Sequence, residues 1–183
     1  LRLGCVLEPE EAALLADYCN LDSLRLRQEV EKLAAYHGYT GKILKEDIEA
    51  LVAPTVDANV FQLGDKVLRR DFNGAMAIVD DLLFLQERPE SILTILTMSF
   101  VDYYRAAAVR RAGVADATAR KELGYRFTKA LEQCGRLSRP ALEGSLEILA
   151  DADARIKQSA ADGRTVLEVT ILRLIELLRR ERA

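Results

Sequence analysis

Tryptophan is absent from this sequence, histidine occurs once, at His37, and only four prolines and ten glycines interrupt 183 residues. Each scarcity removes a class of chemistry. With one imidazole and no two cysteines within ligand spacing of each other, a His/Cys metal site cannot be assembled from the chain alone. The same shortage removes a nucleophile–histidine pair, and His37 itself reads as a surface residue at the exposed end of a helix. Three cysteines, Cys5, Cys19 and Cys134, are an odd and scattered set. They suit reduced thiols in a cytosol, and all three are expected to be small buried hydrophobes. No glycine-rich phosphate loop follows a strand pattern, which argues against nucleotide hydrolysis and leaves no cofactor to expect. No run approaches the ~18 uninterrupted apolar residues of a membrane span, and no cleavable leader is evident. A formal charge of −3 provides no global field toward nucleic acid or toward basic partners. The chain starts at Leu1, which suggests a piece of a longer protein.

What is present is helix-forming. Half of the residues are hydrophobic and 30% are charged, with Ala, Leu, Glu, Arg and Lys abundant. These are favourable helix residues, so an all-α fold is expected. Pro9 with Glu10 and Glu11 opens a short helix to about Tyr18. Asp22 or Ser23 can cap a second, whose apolar residues Leu26, Val30, Leu33 and Ala34 recur at helical spacing before Gly38. Gly38 to Leu44 reads as a connector, and Glu46 to Val52 as a brief third helix. Ala53-Pro54-Thr55-Val56 is the best linker candidate.

Beyond it the helices lengthen. Asp57 can cap one carrying Val60, Leu63 and Val67, and Asp71 or Asn73 can cap the next, forming a helical hairpin. Pro89 opens a long helix to about Ala112 with Leu93, Leu96, Phe100 and Tyr103 on one stripe. A short segment near 117–123 leads to a helix over about Tyr125 to Cys134. Ser138 and Pro140 then open a longer one striped by Leu142, Leu146, Leu149 and Ile156. Asp162 caps the last, in which Val166 to Leu178 carries only Glu168, Arg173 and Glu176 as charges. Such a helix belongs in a bundle centre or a subunit interface, and the pattern leaves both open.

Asp80-Asp81 reads as a solvated helix face and receives no role. Asp153 falls on the stripe between Leu149 and Ile156, where a carboxylate needs a partner: either Lys157 one turn on, or another subunit. Tyr104 to Arg139 carries nine basic residues against three acidic ones. These are Arg105, Arg110, Arg111, Arg120, Lys121, Arg126, Lys129, Arg136 and Arg139, with Tyr125 and Phe127 interleaved. The run is either a solvated surface or a face for phosphates or an acidic protein neighbour.

Several stretches resemble the delta subunit of the bacterial DNA polymerase III clamp loader. Leu24-Arg25-Leu26-Arg27-Gln28-Glu29-Val30-Glu31-Lys32-Leu33 is similar to that family's lid-domain helix. Ala58-Asn59-Val60-Phe61-Gln62-Leu63 with Asp65 is similar to the motif that opens its next domain. Pro89, Ile92 and Leu93, then Asp153, Ile156, Lys157, Ser159, Asp162, Leu167, Glu168, Leu172 and Leu174, fall at family-like spacing, with mild departures at Gln62 and Gln158.

The resemblance implies a small three-helix lid of AAA+ type over 1–54 and a helical collar of about five to six helices over 55–183. The collar would pack with those of the motor and delta-prime subunits in a five-membered ring, with no catalysis of its own. It implies that the sliding clamp is contacted by a preceding domain that these residues do not include. Arg25 falls where nucleotide-hydrolysing relatives place a phosphate-sensing lid arginine, although in the delta branch a surface or interdomain role is expected. The rival reading is a helical nucleic-acid-binding module using 104–139, which would show steeply salt-dependent binding.

Overall fold

A computed structural model describes residues 4–113, 130–131, 133–135, 137–158 and 162–180. Eight helices are described: α1 (Pro9–Tyr18), α2 (Ser23–Tyr36), α3 (Lys45–Leu51), α4 (Val56–Arg69), α5 (Phe72–Phe84), α6 (Pro89–Arg111), α7 (Arg139–Gln158) and α8 (Gly163–Arg180). Among the described residues there is no strand, only an isolated parallel bridge between Val6 and Lys42, so the fold is all-α. The expected short segment at 117–123 and most of the helix expected over 125–134 lie outside the described residues. The chain divides into two compact units, residues 1–59 and 60–183, and the division falls inside α4.

In the first unit, helix starts follow side-chain chemistry. The Asp22 carboxylate accepts from the amides of Leu24 and Arg25 at 2.9 and 3.0 Å, satisfying two of the first-turn donors that a helix leaves unpaired. Asp47, inside the first turn of α3, accepts the Leu44 amide at 2.8 Å and the His37 ring nitrogen at 2.9 Å. These bonds hold its carboxyl below the usual range, the Leu44 amide contributing most. His37 is therefore not a free surface residue as expected: its side chain is 23% exposed and joins the end of α2 to the start of α3. The 38–44 connector is also more than a spacer. Val6 donates to the Gly41 carbonyl at 2.9 Å and accepts from Ile43 at 3.0 Å, so the chain ahead of α1 is laced to it. Gly4 and Gly41 take left-handed φ of 77° and 84° there, and a Cβ on Gly4 would stand 2.2 Å from the Tyr39 carbonyl oxygen. Leu15, Cys19, Leu33, Ile43, Ile48 and Val52 form the core, with Leu7, Leu14, Leu26 and Val30 packed on it. Cys5 departs from expectation: Cys19 and Cys134 are buried, whereas Cys5 is partly exposed.

The second unit is built around α6, α7 and α8. α7 packs most extensively on α6 and α8, and α8 also meets α5 and α6. Phe100 and Tyr103 meet edge to face at 5.4 Å, and Leu96, Leu142, Leu149, Leu167 and Ile171 are also buried in this unit. The helix ends are satisfied locally. Thr55, not Asp57, caps α4: its hydroxyl accepts the Ala58 amide at 3.1 Å and its carbonyl the Asn59 amide at 2.9 Å, placing Asp57 within the helix. Asp71 caps α5 through Gly74 at 2.9 Å, and Asp162 caps α8 through Thr165 at 3.1 Å. Arg70 donates to the Leu178 carbonyl at 2.7 Å, filling an acceptor at the far end of α8. Asp80 does have a role: Arg164 grips it with two nitrogens at 2.9 and 3.3 Å, tying α5 to α8 across 84 residues of sequence.

α6 is long and apolar enough, by length and composition, to cross a membrane. Its buried residues, including Ile92, Leu93, Leu96, Phe100 and Tyr103, instead account for it as the central helix of the unit.

Candidate subunit interface

α8 is the element whose sequence left two readings open, and the structure shows most of its apolar residues buried in the unit while two aliphatic ones stay exposed. Val166, Leu167, Thr170, Ile171, Leu174, Ile175 and Leu178 are buried in the unit. Val169 and Leu172 are not: they remain 40% and 41% exposed although both are aliphatic. Beside Val169 a groove of about 350 Å³ runs between α7 and α8, floored by Ala152, Val166 and Thr170. Arg155 and Arg173 stand at its sides, and both are held by Asp151, with Arg155 at 3.2 Å. The Arg173 bond contributes most to lowering the Asp151 carboxyl below its ordinary range. Arginine is enriched in protein interfaces while other charged residues are depleted, so an apolar groove flanked by two arginines is a candidate contact patch. The sequence reading missed this Asp151–Arg155–Arg173 set. The four-residue step from Asp151 to Arg155 was the visible signal, while the third member comes from another helix.

Asp153 lies just outside that set. Lys157 binds it at 2.7 Å, with side chains 44% and 64% exposed. The pair sits half in solvent and not in an apolar seam, so the pairing one turn along the helix supplies the partner.

Arg25 is tied into the first unit. Its Nη2 donates to the Ala53 carbonyl at 2.8 Å, while Lys32 donates to the Leu51 carbonyl at 2.8 Å and contacts Glu29. The Thr55 amide donates to the Tyr18 carbonyl at 2.9 Å. Three hydrogen bonds thus hold residues 51–55, which overlap the 53–56 stretch that reads as a linker, against α1 and α2.

Of the basic stretch, Arg120, Lys121, Arg126, Lys129 and Arg136, with Tyr125 and Phe127, lie outside the described residues. Arg105 approaches Asp102 at 4.0 Å, and Arg139 binds Glu143 at 2.7 Å. Arg110, Arg111 and Arg139 all border one depression where α6 ends and α7 begins. Among the described residues no group of three His, Cys, Asp or Glu side chains is placed to hold a metal ion.

Comparison with known proteins gives these surfaces a context. The curated DNA polymerase III subunit delta of Bacillus subtilis (strain 168) is 27% identical over 154 residues, covering 81% of this chain and 44% of that protein. A solved Bacillus subtilis DNA clamp loader delta protein superposes with a TM-score of 0.81 at 25% identity, over 93% of this chain and 51% of the other. The chain therefore spans about half the length of these relatives. The family model for the C-terminal domain of the DNA polymerase III delta subunit matches residues 57–174, which take in nearly all of α4, then α5 to α7 and the part of α8 that bears Val169 and Leu172, and the chain belongs to that family.

Proposed function

We propose that this chain is the portion of a clamp-loader delta subunit that holds the subunit in place within its assembly during DNA replication. Residues 1–54 act as the AAA+-type lid and residues 55–183 as the collar through which neighbouring subunits, the motor and delta-prime subunits, are gripped in a five-membered ring. Contact with the sliding clamp belongs to a domain outside these residues. The chain performs no chemistry itself, and a cytoplasmic replication complex is its setting. It transmits the nucleotide-driven movements of its neighbours by fixing where the subunit sits.

The observation that carries this reading is α8, which fills the core of its own unit and still offers Val169 and Leu172 to the outside within the region matched to the family. Interfaces of lasting assemblies resemble a domain core cut open, so apolar residues left on a core helix are the expected form of such a surface. Co-purification of the chain with the motor and delta-prime subunits of its own organism tests it. Stable association through low and moderate salt is the expected result, and failure to associate at both overturns the reading.

A further inference from the structure

The groove between α7 and α8 has a floor of buried residues, Ala152, Val166 and Thr170. Its hydroxyl protons are already committed. The Thr170 hydroxyl donates to the Val166 carbonyl at 2.6 Å, and the Thr165 hydroxyl donates to Asp162 at 3.0 Å. Among the described lining residues, the side-chain donors that remain for a ligand are the guanidiniums of Arg155 and Arg173. They come from different helices, yet both bind one atom, Oδ2 of Asp151.

That shared oxygen leaves both arginines partly used. Arg155 spends its Nε there and Arg173 its Nη1, whereas a guanidinium carries donors on every one of its nitrogens. Among the described residues neither side chain makes a second ion pair, so two cations share one anion. The side chains are 57% and 41% exposed, which leaves their unused donors within reach of a molecule outside. Asp151 also fixes both forks in advance, so a partner that meets them orders less on binding.

We propose that the groove receives a segment of a neighbouring loader subunit, which lays an apolar side chain over Ala152, Val166 and Val169 and sets an Asp or Glu carboxylate against Arg155 and Arg173. The inference rests on the holding role proposed above and names the chemistry of the partner at that surface. Guanidinium forks match the paired oxygens of a carboxylate, and the apolar residue beside it keeps water from the pair and so strengthens it. A nucleic-acid strand is a poorer occupant. Glu147, Asp153 and Glu176 stand on the same two helices, so the arginines form an isolated pair and not the basic tract that a polyanion requires. The groove falls within residues 57–174 and borders the exposed Val169, so it continues the patch that Val169 and Leu172 begin.

The test uses the full chain with the motor and delta-prime subunits of its own organism, and the Arg155→Gln, Arg173→Gln and double variants, each checked for folding by circular-dichroism melting. Affinity is measured over a range of salt. The folded double variant is expected to bind the subunits about tenfold more weakly and with a shallower salt dependence. Arg155→Gln leaves Asp151 paired with Arg173, so it carries the test if the double variant does not fold, and it should show a smaller loss of the same kind. In the complex formed by an Arg155→Lys chain, a water-soluble carbodiimide should condense the new amine with an Asp or Glu of the neighbour, the reagent taking up the water lost. Unchanged affinity in the folded variants, or a complex in which position 155 forms no amide to the neighbour, overturns the inference and leaves the holding role standing. Binding of a single-stranded oligothymidylate that depends on both arginines also overturns it, since the pair then meets phosphate. Failure of the wild-type chain to associate at all is a separate result, which removes the holding role and the inference with it.

Discussion

Arg25 shows how one side chain can be read two ways until its partner is known. On α2 its position invites comparison with a phosphate sensor, yet its Nη2 donates to the Ala53 carbonyl. Arg25→Ala leaves that carbonyl without its donor, and removal of one such hydrogen bond costs on the order of 1 kcal/mol. The expected outcome is melting several degrees lower for the first unit, with the same decrement with and without ATP. A melting point that ATP raises in the wild type and not in the variant would show a ligand role instead. Gly163 offers a second test at this scale. A Cβ there would stand 2.5 and 2.6 Å from ring carbons of Pro89, and both residues sit at the opening of long helices. Gly163→Ala therefore forces two helix starts apart, and overpacking of this kind costs about 1–3 kcal/mol in chemical denaturation. At Gly144 the nearest atom is a terminal carbon of Leu177 at 3.0 Å, which can rotate away, so Gly144→Ala serves as the mild control.

At the scale of elements, the helices begin where short polar side chains can bind the first amides. Asp22, Asp71 and Asp162 were legible as caps because the chemistry lies within three residues of itself. The α4 start was misread because Asp57 and Thr55 both qualify by type, and only the backbone trajectory after Pro54 selects Thr55. Asp162 gives a pH test. The Thr165 amide, then the Thr165 hydroxyl, holds its carboxyl below the ordinary 3.8. A carboxylate with a depressed folded value contributes stability that is fully present above 3.8 and disappears as pH falls through the lower value. Asp162→Ala should thus melt below the wild type at pH 7, and the difference should close in strongly acid buffer. A constant difference from pH 7 to pH 2 would remove the ionised cap from the account. The element joints were less legible. Arg164 with Asp80, and Arg70 with the Leu178 carbonyl, join residues 84 and 108 positions apart, and no local pattern marks such pairs.

For the whole molecule, helical periodicity and composition sufficed for an all-α chain, because apolar stripes at three- and four-residue steps have few other uses. The proposed interface was legible only as an excess of apolar residues in α8. Which of them face outward is set by packing against α5, α6 and α7, and a single sequence does not carry that information. Exchanging Val169 and Leu172 together for Asp should leave the melting temperature close to that of the wild type, since neither is buried, while reducing co-purification with partner subunits at least tenfold. Loss of folding in this variant, or undiminished association, would place the contact elsewhere.

The stretch over residues 51–55 has a practical consequence for anyone who wishes to dissect the protein. Its proline and its position between short and long helices advertise a cutting point, yet Lys32, Arg25 and Tyr18 all bond to its backbone. A gene fragment ending at Pro54 would delete the Thr55 amide that Tyr18 receives, and one starting at Thr55 would leave that amide without its acceptor. Expression boundaries are better chosen elsewhere, and a protease that prefers exposed, unpaired backbone should pass this segment over.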